Sequence, residues 1–297
     1  MTAQLPITPG QRKQFRRFVE DAVGCAVSKV LARAQVGKIE LQRVFPRGDE
    51  LQMRVERAIE TAITELAVGR FANEEVASNY GYFSGYKKPR TAADQLQRLH
   101  KLFLELRTAD LQVADGKLPE DAEGWFLVPR WEKIAPTYGE AVQKVLDLIK
   151  KTRGGRFYNY REGRIGPQFL RQSEKSAAAW RKIGEEQKDH DVLVVPAQFG
   201  LLHRGRSVRR AREVMFDNQF GLGAFAIGIM LLTHPERLQH YDDLWIDCAG
   251  DEHSPGGDGV FSDAPIFIFY DGKVEFDAND CGHYDEYYGS ASGFLAQ

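Results

Sequence analysis

The chain has 297 residues, of which 43% are hydrophobic and 28% charged, with a formal net charge of −2. It can bury a core in one large domain or two ordinary ones, and it carries no global attraction to nucleic acid or membrane. Three cysteines are too few for a disulfide scaffold, and Met1 to Gly10 has no basic stretch leading into an apolar one. The expectation is therefore a cytoplasmic protein with no signal peptide and no membrane partner.

Helix signals dominate the first half. Thr8-Pro9-Gly10-Gln11 reads as a capping box with proline at the first helical position. Phe15, Phe18, Val19, Ala22, Val23, Ala26, Val27 and Val30 follow at helical spacing. A second helix is predicted from Asp49, with Leu51, Val55, Ile59, Ile63 and Leu66 turned inward. A third is predicted near Thr91, with Leu96, Leu99, Leu102, Phe103 and Leu106. A fourth follows the capping box Thr137 to Glu140. Leu111 to Gly124 reads as a loop, and Trp125 to Val128 as a short strand.

The texture changes at Gly154-Gly155. A mainly helical region is expected over 1–154 and an α+β region over 155–297, as two domains or one continuous one. Ser173 to Gln187 is a predicted helix, Asp191 to Pro196 a buried strand, and Ser207 to Phe216 a short helix. The longest apolar run, Phe220 to Leu232, falls short of the roughly 20 residues that span a bilayer. Trp245 to Cys248 is a short strand. Ile266 to Tyr270, Asp271-Gly272, then Lys273 to Asp277 is a hairpin with the residues of a type I′ turn. Glu275 and Asp277 are assigned to its polar face. The fold class is α+β, helical in its amino-terminal half and mixed in its carboxy-terminal half. The aromatic tail is expected to dock through Tyr288, Phe294 and Leu295.

Charge is unevenly spread. Residues 151–215 hold 15 Lys and Arg against 7 Asp and Glu, whereas residues 236–297 hold 2 against 14. Within the basic part, Arg204, Arg206, Arg209, Arg210 and Arg212 crowd the start of the Ser207 helix, where cations oppose the helix dipole. An anion is expected there. It is the protein's own Asp242, Asp247 or Asp251, or a phosphate of a nucleic acid or other ligand; the remaining alternative is that the arginines form a plain solvated face. Upstream, Arg153, Arg156, Tyr158, Tyr160, Arg161 and Arg164 interleave basic and aromatic residues as single-strand-binding surfaces do.

In the acidic part, a short strand delivers Asp247, and a glycine turn presents Asp251, Glu252 and His253. Such a set could hold Mg²⁺ or Mn²⁺ for hydrolysis, with Asp247, Asp251 and Glu252 as ligands. A solvated acidic loop, with Asp and Gly there for turn geometry, is the better explanation of the same residues. Cys248, His253, Cys281 and His283 have the residue types of a zinc site but not its spacing. No catalytic residue stands out, and His190 and His234 read as structural.

The strings HRGRSVRRARE, FGLGAFAIGIMLLTHPERL, DLWIDCAGDEHSP and YYGSASGFL, from His203 to Leu295, resemble uncharacterised proteins of bacterial integrative and conjugative elements. The resemblance implies a bacterial, mobile-DNA setting and no activity. Three readings follow. The chain is a nucleic-acid- or phosphate-binding accessory protein of mobile DNA, a divalent-metal-dependent hydrolase or nuclease, or an interaction protein pairing with another protein or a second copy.

Overall fold

The structure, a computed structural model, describes residues 9–33 and 38–295. It is α+β, and the chain divides into two compact units, Met1–Ala67 and Val68–Gln297.

The first unit comprises α1 (Pro9–Arg33), α2 (Lys38–Val44) and α3 (Gly48–Val68), with a 3-10 turn at Phe45–Arg47 before α3. The capping box at Thr8 lies outside the described residues. The helices form where periodicity places them, but their apolar stripes are not inward. Val27, Val30, Leu51, Val55 and Ile63 are exposed, and no described side chain of this unit is buried. Periodicity sets a helix and its apolar face; burial also needs a surface to pack against.

The second unit begins with α4 (Ala92–Leu102), β1 (Gly124–Pro129), α5 (Tyr138–Thr152), β2 (Phe157–Asn159), β3 (Leu170–Gln172) and α6 (Glu174–Glu186). It continues with β4 (Val192–Gln198), α7 (Val208–Val214), β5 (Gln219–Gly221), α8 (Ala224–Thr233), β6 (Trp245–Asp247) and β7 (Asp251–His253). The last strands are β8 (Asp263–Tyr270), β9 (Lys273–Asp280), β10 (Tyr288–Ser290) and β11 (Ser292–Phe294). Thr91, Thr137, Ser173 and Ser207 each cap the helix they precede. At α5 the box is reciprocal: Thr137 Oγ1 accepts from the Glu140 amide at 3.3 Å, and the Glu140 carboxylate accepts from the Thr137 amide at 3.1 Å. The expected loop from Leu111 opens with a 3-10 turn, Leu111–Asp115.

Two sheets organise the unit. The antiparallel first sheet runs β1-β4-β11-β5. The second runs β10-β6-β8-β7-β3, with β9 on β8 and β2 on β9. β1 pairs with β4 from Gly124↔Ala197 to Pro129↔Val192, so residues on both sides of Gly154-Gly155 share one sheet. The division between compact units falls at Ala67/Val68 and not near residue 154. The β8–β9 hairpin has φ of 48° at Asp271 and 74° at Gly272, as a type I′ turn requires. Val274 and Phe276 are buried, but so is Glu275, which lies in register with Tyr158 of β2 and has Lys273 Nζ 3.4 Å from its carboxylate.

The apolar run ends as β5 followed by α8, whose ten residues are all buried beneath α5 and β1. No described helix is long and apolar enough to cross a membrane. The described tail docks through buried Tyr288 and Phe294, with Leu295 half-buried. β10 lies parallel to β6; then the chain crosses at Ala291, and β11 enters the other sheet between β4 and β5.

Candidate functional site

A cavity of about 340 Å³ opens beside the end of β1, between the turn Trp131–Lys133, the start of α5 and one face of α6. That size suits a small ligand. Val128, Leu193 and Phe225 supply its apolar floor; Trp131, Tyr138 and Trp180 supply aromatic walls. Trp131 meets Tyr138 edge-on at 6.0 Å, and Trp180 meets Phe220 edge-on at 5.5 Å, so both indoles are held by packing.

Arg130 sets the distance between the walls. Its Nε donates to His190 O at 2.8 Å, and its Nη2 donates to Gly184 O at 2.6 Å and Gln187 O at 2.8 Å. The guanidinium thus satisfies carbonyls at the carboxy-terminal end of α6 and ties that helix to the end of β1. Glycine at 184 leaves room for this, since a Cβ there would lie 2.6 Å from Arg130 Nη1 and would displace the guanidinium. At the rim, Glu132, Arg181 and Glu185 engage in no hydrogen bond or ion pair among the described residues.

Below the cavity, Tyr138 Oη donates to the Asp251 carboxylate at 2.8 and 2.9 Å, and the Ala224 amide at the start of α8 donates to it at 2.7 Å. Asp251 is buried, and desolvation pushes its carboxyl up to about 7 despite those hydrogen bonds. Burial, then the Asp251 charge, pushes the Tyr138 hydroxyl up as well. Asp251 anchors the amino-terminal end of a fully buried helix.

The three proposed metal ligands are placed apart in role. Glu252 points to the opposite side of β7 and pairs with Arg171 at 2.8 Å. Asp247 is buried with Oδ2 unpartnered; burial pushes its carboxyl up to about 8, opposed by the Arg212 charge. Among the described residues no group of three or more His, Cys, Asp or Glu is arranged to hold a metal ion, and this includes Cys248, His253, Cys281 and His283.

The arginine cluster does meet carboxylates, but not those expected. Arg209 grips Glu74 with two hydrogen bonds, its Nε at 2.6 Å, and Ser207 Oγ donates to the same carboxylate at 2.8 Å. Arg206 and Arg210 reach Glu75 at 3.0 and 3.1 Å, and Arg210 also reaches Glu213 at 2.9 Å. The hydrogen bonds from Arg209 and Arg210 hold Glu74 and Glu75 below the usual carboxylate range. Arg204 donates to Tyr80 O at 2.9 Å. Among the described residues, Arg212 is the one of these arginines whose side chain hydrogen-bonds to the acidic segment, through the carbonyls of Ala249 and Asp251 at 2.9 and 2.6 Å. The expected partners Asp242, Asp247 and Asp251 form no ion pair with these arginines among the described residues.

Arg209→Ala would leave Glu74, 7% exposed, without its cation. The expected cost is about 1–3 kcal/mol, seen as a lower urea midpoint with an unchanged slope. Equal midpoints for variant and parent would remove the strut role.

In the second basic stretch, Arg153 donates to Pro235 O and Leu238 O, and Arg161 pairs with Asp277 at 2.6 Å. Tyr158 and Tyr160 remain exposed, with ring centroids 4.6 Å apart and Lys273 above Tyr158 at 5.5 Å. His203 and His234 are buried and hydrogen-bonded, and burial brings them down to about 3 and about 4. No sequence motif marks the cavity; Trp131 and Trp180 in its walls are its sole compositional signal, and the sequence pattern attaches no expectation to either. Compared with known proteins, the chain matches no protein family, no curated protein and no solved structure.

Proposed function

We propose that Val68–Gln297 is a binding module for a planar, amino-bearing heterocycle with an anionic group, namely a nucleotide, free or as one unit of a single strand. The observation that carries this reading is the aromatic cavity with Arg181, Glu132 and Glu185 uncommitted at its rim. The ring stacks against Trp131 or Trp180, Glu132 and Glu185 accept from its amino groups, and Arg181 meets the phosphate. This moves the nucleic-acid and phosphate reading away from Arg204, Arg206, Arg209, Arg210 and Arg212, whose hydrogen bonds are used within the chain. A cytoplasmic role as an accessory protein of bacterial mobile DNA belongs to the same proposal and rests on the resemblance alone. A Mg²⁺- or Mn²⁺-dependent hydrolase gains no comparable support, because Asp251 is committed to Tyr138 and Ala224, and Glu252 to Arg171.

The test is calorimetric titration of the full chain with adenosine monophosphate and with a short single-stranded oligonucleotide. Saturable binding is expected. Trp180→Ala and Arg181→Ala should each weaken it about tenfold, as stacking and phosphate contacts of roughly 1–3 kcal/mol imply, while Tyr158→Ala leaves it unchanged. Oligonucleotide binding that survives both cavity substitutions and is lost in Tyr158→Ala would overturn the assignment, as would no binding of either probe.

A further inference from the structure

The Met1–Ala67 unit has helices but no core among its described residues. On α1, Val19, Val23, Val27 and Val30 recur at helical spacing; on α3, Leu51, Val55, Ile59 and Ile63 do the same. Val30 is 60% exposed and Leu51 49%. Each stripe is about 18 Å long at 1.5 Å per residue. Val19, Val23 and Ile59 are half-buried and the other members of the two stripes exposed. Helices in water draw most of their stability from packing such a face, so two stripes with no buried member call for a partner.

Charge identifies the partner. α1 carries six basic and two acidic residues, α3 two basic and five acidic. Arg16 and Arg17 lie toward one end of the α1 stripe and Lys29 and Arg33 toward the other, whereas Asp49 with Glu50 and Glu60 with Glu65 bracket that of α3. We infer that this unit docks on a second copy of the chain, with α1 of each copy laid along α3 of the other. The contact is isologous, occurs twice about a two-fold axis, and closes a four-helix arrangement. In either direction along the helices, basic ends meet acidic ends. An anionic membrane surface would attract α1 but repel α3, and a partner of one charge would satisfy only one helix.

The test is sedimentation equilibrium of the full chain, with far-UV circular dichroism as the check on helix content. A dimer with a low-micromolar dissociation constant is expected. Val30→Glu, Ile63→Glu and the paired reversal Glu60→Lys with Glu65→Lys should each raise that constant at least about tenfold with helix content kept. The inference is overturned by a monomer at about 100 μM, by a dimer that all three variants leave intact, or by a monomeric chain that sediments with anionic vesicles. None of these outcomes touches the cavity assignment, which is read by ligand titration.

Discussion

Removing Tyr288–Gln297 is expected to abolish cooperative unfolding of the Val68–Gln297 unit. β11 is an interior strand, hydrogen-bonded to β4 on one side and β5 on the other, and β10 continues the second sheet from β6. Its loss exposes two strand edges in the first sheet and removes Tyr288, Ala291 and Phe294 from the core. The two aromatic side chains account for roughly 1.5–3 kcal/mol each. Ser292 Oγ accepts from Gln198 Nε2 at 2.8 Å and from Gln219 Nε2 at 2.7 Å, and Gln198 Nε2 also donates to Ser290 O at 2.9 Å. Without the tail, those two buried amides lose partners at about 1–3 kcal/mol apiece. These terms together, about 5–12 kcal/mol, are of the same size as the roughly 5–15 kcal/mol by which a domain is stable, before the broken ladders are counted. A gentler variant asks the same question. Gly293→Val places a Cβ 2.7 Å from Phe220 Cζ, inside a sheet flanked on both sides. Both variants should lose the near-ultraviolet dichroism of the packed aromatics and the sigmoidal urea transition. A truncated chain that still unfolds cooperatively near the parent midpoint would show that the tail is an accessory strand.

Such a tail was partly legible in sequence. Tyr288, Phe294 and Leu295 announce an apolar segment, but nothing local says that a three-residue strand will sit in the middle of a sheet. The same limit recurs elsewhere. Capping residues and hairpin turns are local chemistry, so Thr91, Thr137, Ser173, Ser207 and Asp271-Gly272 could be read directly. The oddity of arginines at a helix start was also readable, and it did signal carboxylates. Their identity was not, because Glu74 and Glu75 lie more than 130 residues upstream in a segment with no pattern of its own. In the first unit the pattern misled: a 3.6-residue period says which face is apolar and is silent on whether anything covers it. The cavity was invisible for a further reason. Its walls come from the turn after β1, the start of α5 and the middle of α6, three places whose residues each have an adequate local explanation.

Asp247 provides the strongest pH dependence, and its sign can be worked out. In the unfolded chain its carboxyl has the ordinary value near 3.8; in the fold, burial pushes it up to about 8. Between those values the unfolded state releases a proton that the folded state keeps, so folding loses about 1.4 kcal/mol for each unit of rising pH and levels off above the folded value. Asp251, pushed up to about 7, acts in the same direction over a narrower range. Buried histidines act oppositely. His203 and His234, brought down to about 3 and about 4 from 6.5, make the fold lose stability as pH falls below 6.5. Below pH 6.5 the two carboxyls and the two imidazoles therefore offset one another, and the carboxyl effect stands clear only from pH 6.5 to 8. Across that window Asp247 alone should lower stability by about 2 kcal/mol. Asp247→Asn keeps the shape and removes the proton: its urea midpoint should hardly change between pH 7 and 8, where the parent's falls, and at pH 8 it should be the more stable protein. A parent with equal midpoints at pH 6.5 and 8, or a variant that keeps the parent's slope, would mean that Asp247 ionises as a solvated carboxylate does. The proton also matters to the neighbouring strand. Asp247 and Ser290 are register partners on β6 and β10, both buried, with Asp247 Oδ2 and Ser290 Oγ unpartnered. Ionising the carboxyl puts a buried charge, opposed only by that of Arg212, against the strand that leads into β11, so the pH at which Asp247 ionises should also be the pH at which amide protection in Tyr288–Phe294, relative to the unfolded chain at the same pH, begins to fall.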